Sequence, residues 1–250
     1  MTIVLHSSKE IEKIRLAGRL ASGLLDYLTD FVKPGVSTGE LDKIAEEWTQ
    51  KHNAVSAPLL YKGTYPKSIC TSINEVICHG IPSYDRLLKD GDIVNIDVTP
   101  KLNGWHGDSS RMFLVGSVSK TGKRLCQITK ECLALGIAEV KPEAHIGNIG
   151  AAIQEHAEKH NFSVVRDFVG HGTGRIFHTE PIVFHFGKRN TGLILKPGMV
   201  FTIEPMINEG THEAILLDDD WTAITKDKKL SAQWEHTVVV TVDGVEVLTQ

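Results

Sequence analysis

Apolar positions recur along the chain in two alternating rhythms. Ile11, Ile14, Ala17, Leu20, Ala21, Leu24, Leu25 and Leu28 return at helical spacing and keep one face apolar. Ser7 and Glu10 stand where a capping box opens a helix, and Pro34-Gly35 stands where one ends. A second helix is predicted over about 38–52, with Ser37 and Glu40 as its capping pair. The same two-helix plan is predicted again over about 123–140, before Pro142, and over about 146–160. The segments DIVNIDVTP, SRMFLVGSV, MVFTIEPM and HTVVVTVDGVEVLT are rich in Val, Ile, Thr and Phe and bounded by Gly or Pro, so they read as strands. Short turns such as Asp243-Gly244 join several of them. These patterns predict an α+β fold: a largely antiparallel sheet with helices on one face.

Parts of the chain are written twice. VKP occurs at 32–34 and 140–142, and KHN at 51–53 and 159–161, both at an offset of 108. LKxG occurs at 88–91 and 195–198, an offset of 107 that Asp97 and Glu204 share. The same order at nearly the same spacing predicts one domain over 1–250, built of related halves at about 1–118 and 119–250, with a cleft between them. At that offset the counterparts of Asp108 and Glu235 are Ile215 and Ile128, so the repeat alone relates only Asp97 to Glu204.

Composition narrows the partners. With 41% hydrophobic and 23% charged residues, the 250-residue chain has enough apolar material for a sizeable core. Net charge is −4 with Lys and Arg dispersed, which gives no basic footprint for nucleic acid. Cys70, Cys78, Cys126 and Cys132 form no CxxC pair and no secretory signal precedes them, so reduced thiols in the cytoplasm are expected. No apolar run approaches the ~20 residues of a membrane span.

Five polar residues sit beside strand signals: Asp97, Asp108, His171, Glu204 and Glu235. Spacing alone does not bring them together. If they share the cleft, four ionised carboxylates raise one another's pKa values sharply, and one or two divalent cations remove that conflict. Oxygen-rich ligation with a single imidazole suits Mn, Fe(II) or Co, and admits Zn. Such a cation also answers why Glu204 ends the apolar strand of KPGMVFTIEP, where burying an uncompensated charge is expensive. GHGTG around His171 lets backbone approach a ligand closely. It is not read as a phosphate loop, because no GK[ST] and no GxGxxG pattern follows.

The segments YPKSICTSINEVICHGIP (65–82), DGDIVNIDVT (90–99), HGDSSRMF (106–113), GHGTGRIFHTEP (170–181), PGMVFTIEPM (197–206) and SAQWEHTVVVT (231–241) resemble type I methionine aminopeptidases over nearly the whole chain. The resemblance implies the pseudo-twofold "pita-bread" fold. It implies two divalent cations held by Asp97, Asp108, His171, Glu204 and Glu235, with Asp108 and Glu235 bridging. It further implies removal of the N-terminal methionine from nascent proteins, at the ribosome, when the second residue is small and uncharged, by a monomeric enzyme. In that chemistry metal-activated water attacks the scissile carbonyl, Glu204 is the general base, His178 donates to the carbonyl oxygen, and His79 contacts the substrate backbone. The methionine pocket is implied to be Tyr65, Cys70, Phe177 and Trp221, and a monovalent-cation site Asn74, Val76 and Ser231. The chain departs from the family pattern at Leu59, Lys62 and Asp220, all at the pocket rim. His106 and His236 flank candidate ligands and suit hydrogen bonds that orient them. His52, His145, His156, His160 and His185 read as solvated or capping residues. Thr2 is small, so the chain's own start fits the same substrate rule.

Two other readings compete. Proline-directed relatives, prolidase and aminopeptidase P, use a similar five-ligand site but generally carry an extra N-terminal domain, for which the stretch before Asp97 leaves no room. A non-catalytic binding protein on this scaffold is the reading from another class, and the filled ligand positions argue against it. The type II aminopeptidase is disfavoured, because only residues 179–203 separate His178 from Glu204.

Overall fold

A computed structural model describes residues 3–250, so the expectation for Met1-Thr2 lies outside the described residues. Four helices appear where periodicity places them: α1 (Ser8–Leu28), α2 (Thr38–Lys51), α3 (Lys120–Ala138) and α4 (Gly147–Lys159). Both capping boxes form. The Ser7 N–H donates to Glu10 Oε2 at 2.9 Å, and the Ser37 N–H to Glu40 Oε2 at 2.8 Å. α3 starts at Lys120 because Ser119 Oγ accepts the Gly122 N–H at 3.0 Å. α1 ends at Leu28 and does not run to Pro34-Gly35. Its buried stripe stops at Leu28, and the Thr29 and Phe31 N–H groups turn back to Asp26 and Leu28 at three-residue spacing. A proline forbids continuation only locally; here loss of the packing stripe ends the helix first.

The main sheet has eight strands: β1 (Cys70–Ile73), β2 (Ile93–Val98), β3 (Ser109–Leu114), β4 (Gly170–Gly172), β5 (Thr179–Val183), β6 (Val200–Ile203), β7 (Glu235–Val240) and β8 (Val245–Val247). Their order is β5-β4-β6-β7-β3-β2-β1, with β8 on β7 and every pairing antiparallel. The order is symmetric about the β7–β3 seam: β6 mirrors β2 and β4 mirrors β1. The fold is therefore α+β with a pseudo-twofold, as the repeat predicts.

The seam corrects one expectation. β3 and β7 are symmetry counterparts, although a constant offset does not align them. Residues 99–108 link β2 to β3, whereas residues 204–234 link β6 to β7. The second half carries the longer connection, which adds the strands Met206–Asn208, Ala214–Leu216, Ala223–Thr225 and Ser231–Gln233. Asp108 and Glu235 thus lie at matching ends of matching strands, and the duplication accounts for more of the site than the fixed offset implies.

Alternation separates the sheet's faces. Val94, Ile96 and Val98 of β2 pack with Leu24, Leu25 and Leu41 of α1 and α2. Phe201, Ile203 and Val238 pack with Leu133, Ile149 and Ile153 of α3 and α4. Each such large side chain contributes roughly 1.5–3 kcal/mol on burial. The intervening residues, Asp97 and Glu235 among them, point to the inner face. α1 is pressed against the loop before β3 so closely that a Cβ at Gly107 falls 2.2 Å from the Ala17 backbone. Gly107→Ala is therefore expected to lower unfolding stability by roughly 1–3 kcal/mol, measured by urea denaturation; unchanged stability contradicts this packing.

Candidate metal centre

Cross-strand register lines up the site. Cys70 pairs with Asp97, Asp97 with Ser110, and Ser110 with Glu235, so these four form one row across β1, β2, β3 and β7. Paired residues share a face, and strands lie about 4.8 Å apart. The small Ser110 leaves open the space between Asp97 and Glu235. Ile203 pairs with His236, so Glu204, one residue on, falls level with Glu235. Asp108 immediately precedes β3, and His171 sits in β4. All five candidate ligands line one cavity of about 300 Å³.

The distances suit ions better than hydrogen bonds. His171 Nε2 is 3.5 Å from Asp108 Oδ2 and 3.6 Å from Glu204 Oε1. Those separations are too long for hydrogen bonds but match two ligands sharing one cation at about 2.1 Å each. His171 Nδ1 lies 3.2 Å from the Gly172 carbonyl, which suits an N–H there and leaves the Nε2 lone pair facing the oxygens. Asp108, His171 and Glu235 offer ligand atoms within 4.8 Å of one another.

Electrostatics argues the same way. Asp108 is 3% exposed, Glu235 2% and Glu204 9%. Burial pushes the Asp97 carboxyl up to about 7. Burial, and then charge from the neighbouring carboxylates, pushes Asp108, Glu204 and Glu235 well above the usual range. Burial lowers His171 to about 4, so its imidazole is neutral at pH 7. Four buried acids around a neutral imidazole must hold protons or cations, and the donor set fits divalent metal.

Side chains absent from the sequence reading hold these ligands. Thr99 Oγ1 donates to Asp108 Oδ1 at 2.8 Å, and Thr202 Oγ1 to Glu204 Oε1 at 2.7 Å. Gln233 Nε2 donates to Glu204 Oε2 at 3.3 Å. His185 is corrected from a solvated or capping residue: it is buried, and its Nε2 accepts the Glu204 N–H at 3.0 Å. Burial lowers it to about 3, consistent with an acceptor nitrogen. His52 and His160 are the C-cap residues of α2 and α4, as expected. His145 is half-buried with its Nδ1 3.1 Å from the Gly192 carbonyl, and His156 pairs with Glu131 at 2.8 Å. His106 and His236 do not hydrogen-bond the ligands. Their Nδ1 atoms meet the Gly174 carbonyl and Thr249 Oγ1, each at 2.8 Å.

The same cavity gathers His79, His178, Tyr65, Cys70, Phe177 and Trp221. Tyr65 and Trp221 meet edge to face at 5.2 Å, and His178 lies 4.0 Å from the rings of both His171 and Phe177. His79 follows the strand Val76–Cys78, and burial lowers it to about 4. Tyr61, Phe168 and Met206 also line the cavity. Sequence reasoning missed them because Tyr61 and Phe168 sit in irregular segments and Met206 reads as a strand residue. Asp220 adopts φ 63°, the left-handed region where glycine is easiest and aspartate is tolerated. Leu59 lies outside the cavity on its outer rim, whereas Lys62 lines the cavity itself. Asn74 and Ser231 adjoin through the Ser231 N–H and Asn74 carbonyl at 2.8 Å, and Val76 begins the neighbouring strand. Ser231 Oγ is buried without a partner.

Comparison with known proteins agrees with this geometry. The model of metallopeptidase family M24 matches residues 12–242. Methionine aminopeptidase A of Synechocystis sp. is 64% identical over 248 residues, covering 99% of this chain and 98% of that protein. The crystal structure of methionine aminopeptidase from Rickettsia prowazekii superposes with a TM-score of 0.98 at 55% identity, with 100% of both chains covered. Prolidase from Pyrococcus horikoshii, at 21% identity and a TM-score of 0.78, shares the fold over 99% of this chain but 63% of its own. A buried acidic cluster on this scaffold, with relatives matched end to end, leads to one conclusion: the chain belongs to metallopeptidase family M24.

Proposed function

We propose that this chain is a methionine aminopeptidase that removes the first residue of nascent polypeptides when the second is small and uncharged. The observation that carries the reading is one cavity in which five metal-suited side chains adjoin Tyr65, Cys70, Phe177 and Trp221. Residues 1–250 act as a single catalytic domain of two related halves. Asp97, Asp108, His171, Glu204 and Glu235 would hold two divalent cations, with Mn, Fe(II), Co or Zn as candidates. Asn74, Val76 and Ser231 take a monovalent cation, for which the unpartnered Ser231 Oγ offers a donor. The enzyme works as a cytoplasmic monomer at the ribosome. Among the described residues, no helix is long and apolar enough to cross a membrane.

When bound, the divalent cations lower the pKa of water toward neutrality and polarise a carbonyl. Glu204 takes the proton from water and returns it to the leaving amine. Thr202 and Gln233 fix its two oxygens, and His185 fixes its backbone, so the carboxylate is aimed before substrate arrives. His178 donates to the scissile carbonyl oxygen, where charge develops. His79, neutral at pH 7, hydrogen-bonds the substrate backbone. Tyr65, Cys70, Phe177 and Trp221 enclose the methionine side chain, whose sulfur meets aromatic rings favourably.

Glu204→Gln keeps the shape but cannot take a proton. It is expected to lower kcat by roughly 10²–10⁴-fold with metal content retained, read by peptide hydrolysis alongside elemental analysis. Substrate class is checked with dipeptides and tripeptides: Met-Ala-Ser is expected to be cleaved and Ala-Pro left intact, and the reverse would move the chain to the proline-directed branch.

Stability follows the same titrations. Asp97 protonates at about 7 in the fold and at about 3.9 in an unfolded chain. The fold therefore binds the extra proton between those values and loses that stability as pH rises through 7. His79, His171 and His236, each lowered to about 4, work the opposite way below about 6.5. Above about pH 6.5 only the acidic effect remains. Metal-free protein is expected to lose Tm from about pH 6.5 to 8, and the gain on adding Mn²⁺ to grow over that window. Thermal unfolding with and without chelator measures both, and a gain that shrinks with pH contradicts the carboxylate centre.

A further inference from the structure

The wall formed by Tyr61, Lys62 and Phe177 has a second side. Beyond it a surface groove runs between residues 55–62 and the segment Arg175–Phe177, with Lys101 and His106 along it. Three cations stand in this groove: Lys62, Lys101 and Arg175. Among the described residues none of them is ion-paired, whereas Arg15, Lys67, Arg111, Arg189 and Lys226 all are. The carboxylate that acts on Arg175, Glu10, is held by Ser7 in the α1 capping box. Aromatic rings lie beneath two of the cations: Arg175 is 4.6 Å from the Trp105 ring centre and Lys62 Nζ 5.6 Å from that of Tyr61. Between the charges the groove is apolar, with Leu59, Leu60 and Ile176 exposed by 41%, 65% and 59%.

The groove and the metal cavity share Tyr61, Lys62 and Phe177, so the groove lies directly across that rim from the cavity. The cavity also carries acid, with Asp167 on its wall and Asp218, Asp219 and Asp220 preceding Trp221 in the chain. A substrate whose first residue fills the cavity and whose later residues cross this shared rim enters the groove. On the basis of the aminopeptidase reading, we propose that the groove receives the substrate residues that follow the second one, and that Lys62, Lys101 and Arg175 make it select acidic side chains there. At about 3.3–3.6 Å per residue, three such residues extend roughly 10 Å beyond the cavity. A peptide suits the groove better than a nucleic acid does: the cations are few and separated by exposed leucine and isoleucine, and the whole chain carries a net charge of −4.

Exposed charge pairs are individually weak and screened by salt, so the selectivity is expected to be about tenfold in sum at low ionic strength. The test compares kcat/KM of the metal-loaded enzyme for Met-Ala-Ser-Glu-Asp-Glu, Met-Ala-Ser-Gln-Asn-Gln and Met-Ala-Ser-Lys-Arg-Lys, with Met-Ala-Ser as the short reference. The acidic hexapeptide is expected to lead and the basic one to trail, with the spread shrinking as salt rises. Lys101→Gln with Arg175→Gln is expected to compress the spread, and Lys101→Arg with Arg175→Lys to retain it. Equal rates on the three hexapeptides, with Met-Ala-Ser still cleaved, overturn the groove and leave the aminopeptidase reading standing. No cleavage of any peptide overturns both. Single-stranded RNA that binds more tightly than the acidic hexapeptide, and loses that binding in the Gln variant, assigns the groove to nucleic acid and overturns the proposal.

Discussion

Burying Asp97, Asp108, Glu204 and Glu235 beside one another is the constraint on which the rest of the molecule depends. Carboxylates so enclosed repel one another and have lost most of their hydration, so burial raises all four pKa values. The fold tolerates this only where positive charge or protons offset it. Divalent cations, the chemistry of family M24, meet that requirement. The neutral His171 imidazole, with its ring lone pair turned toward two carboxylates, completes a donor set that has no better use as a hydrogen-bond network.

A site under that strain has to be held rigidly, and the sheet does so by register. One row carries Cys70, Asp97, Ser110 and Glu235 on a common face, with Glu204 at the end of the adjoining ladder. At alternate positions of the same strands, Ile73, Val94, Ile96, Val98, Phe113, Val238 and Val240 are apolar and pack against the helices on the outer face. The core and the reactive cluster are therefore two faces of one sheet, and moving a strand by one residue exchanges them. Threonine, glutamine and histidine hydrogen bonds then fix Asp108 and Glu204 beside the row.

Around the mouth the halves differ. The first half contributes the 55–65 segment, with left-handed Leu60 and Lys62. The second contributes the long connection that carries Asp220 and Trp221. A near-symmetric centre thus opens onto surroundings that are not symmetric. A peptide substrate has a direction, and this asymmetry is what the duplicated core alone does not supply.

The helices, their capping residues, most strands and the doubling were legible in the sequence, because periodicity, caps and turns are local physics. The end of α1 was not, since packing along the stripe to Leu28, rather than Pro34, decides it. The five acidic and imidazole positions were visible as polar residues at strand signals, and family motifs supplied their grouping. Their meeting depends on cross-strand pairings as distant as Ser110 with Glu235, which no local pattern encodes. The relation of β3 to β7 was hidden by the longer second connection, and His185 by a sequence context that does not reveal burial. Which elements form and which faces are apolar can be read from residue order, because they follow from neighbours along the chain; register, seam and cavity emerge on folding, because they follow from neighbours across it.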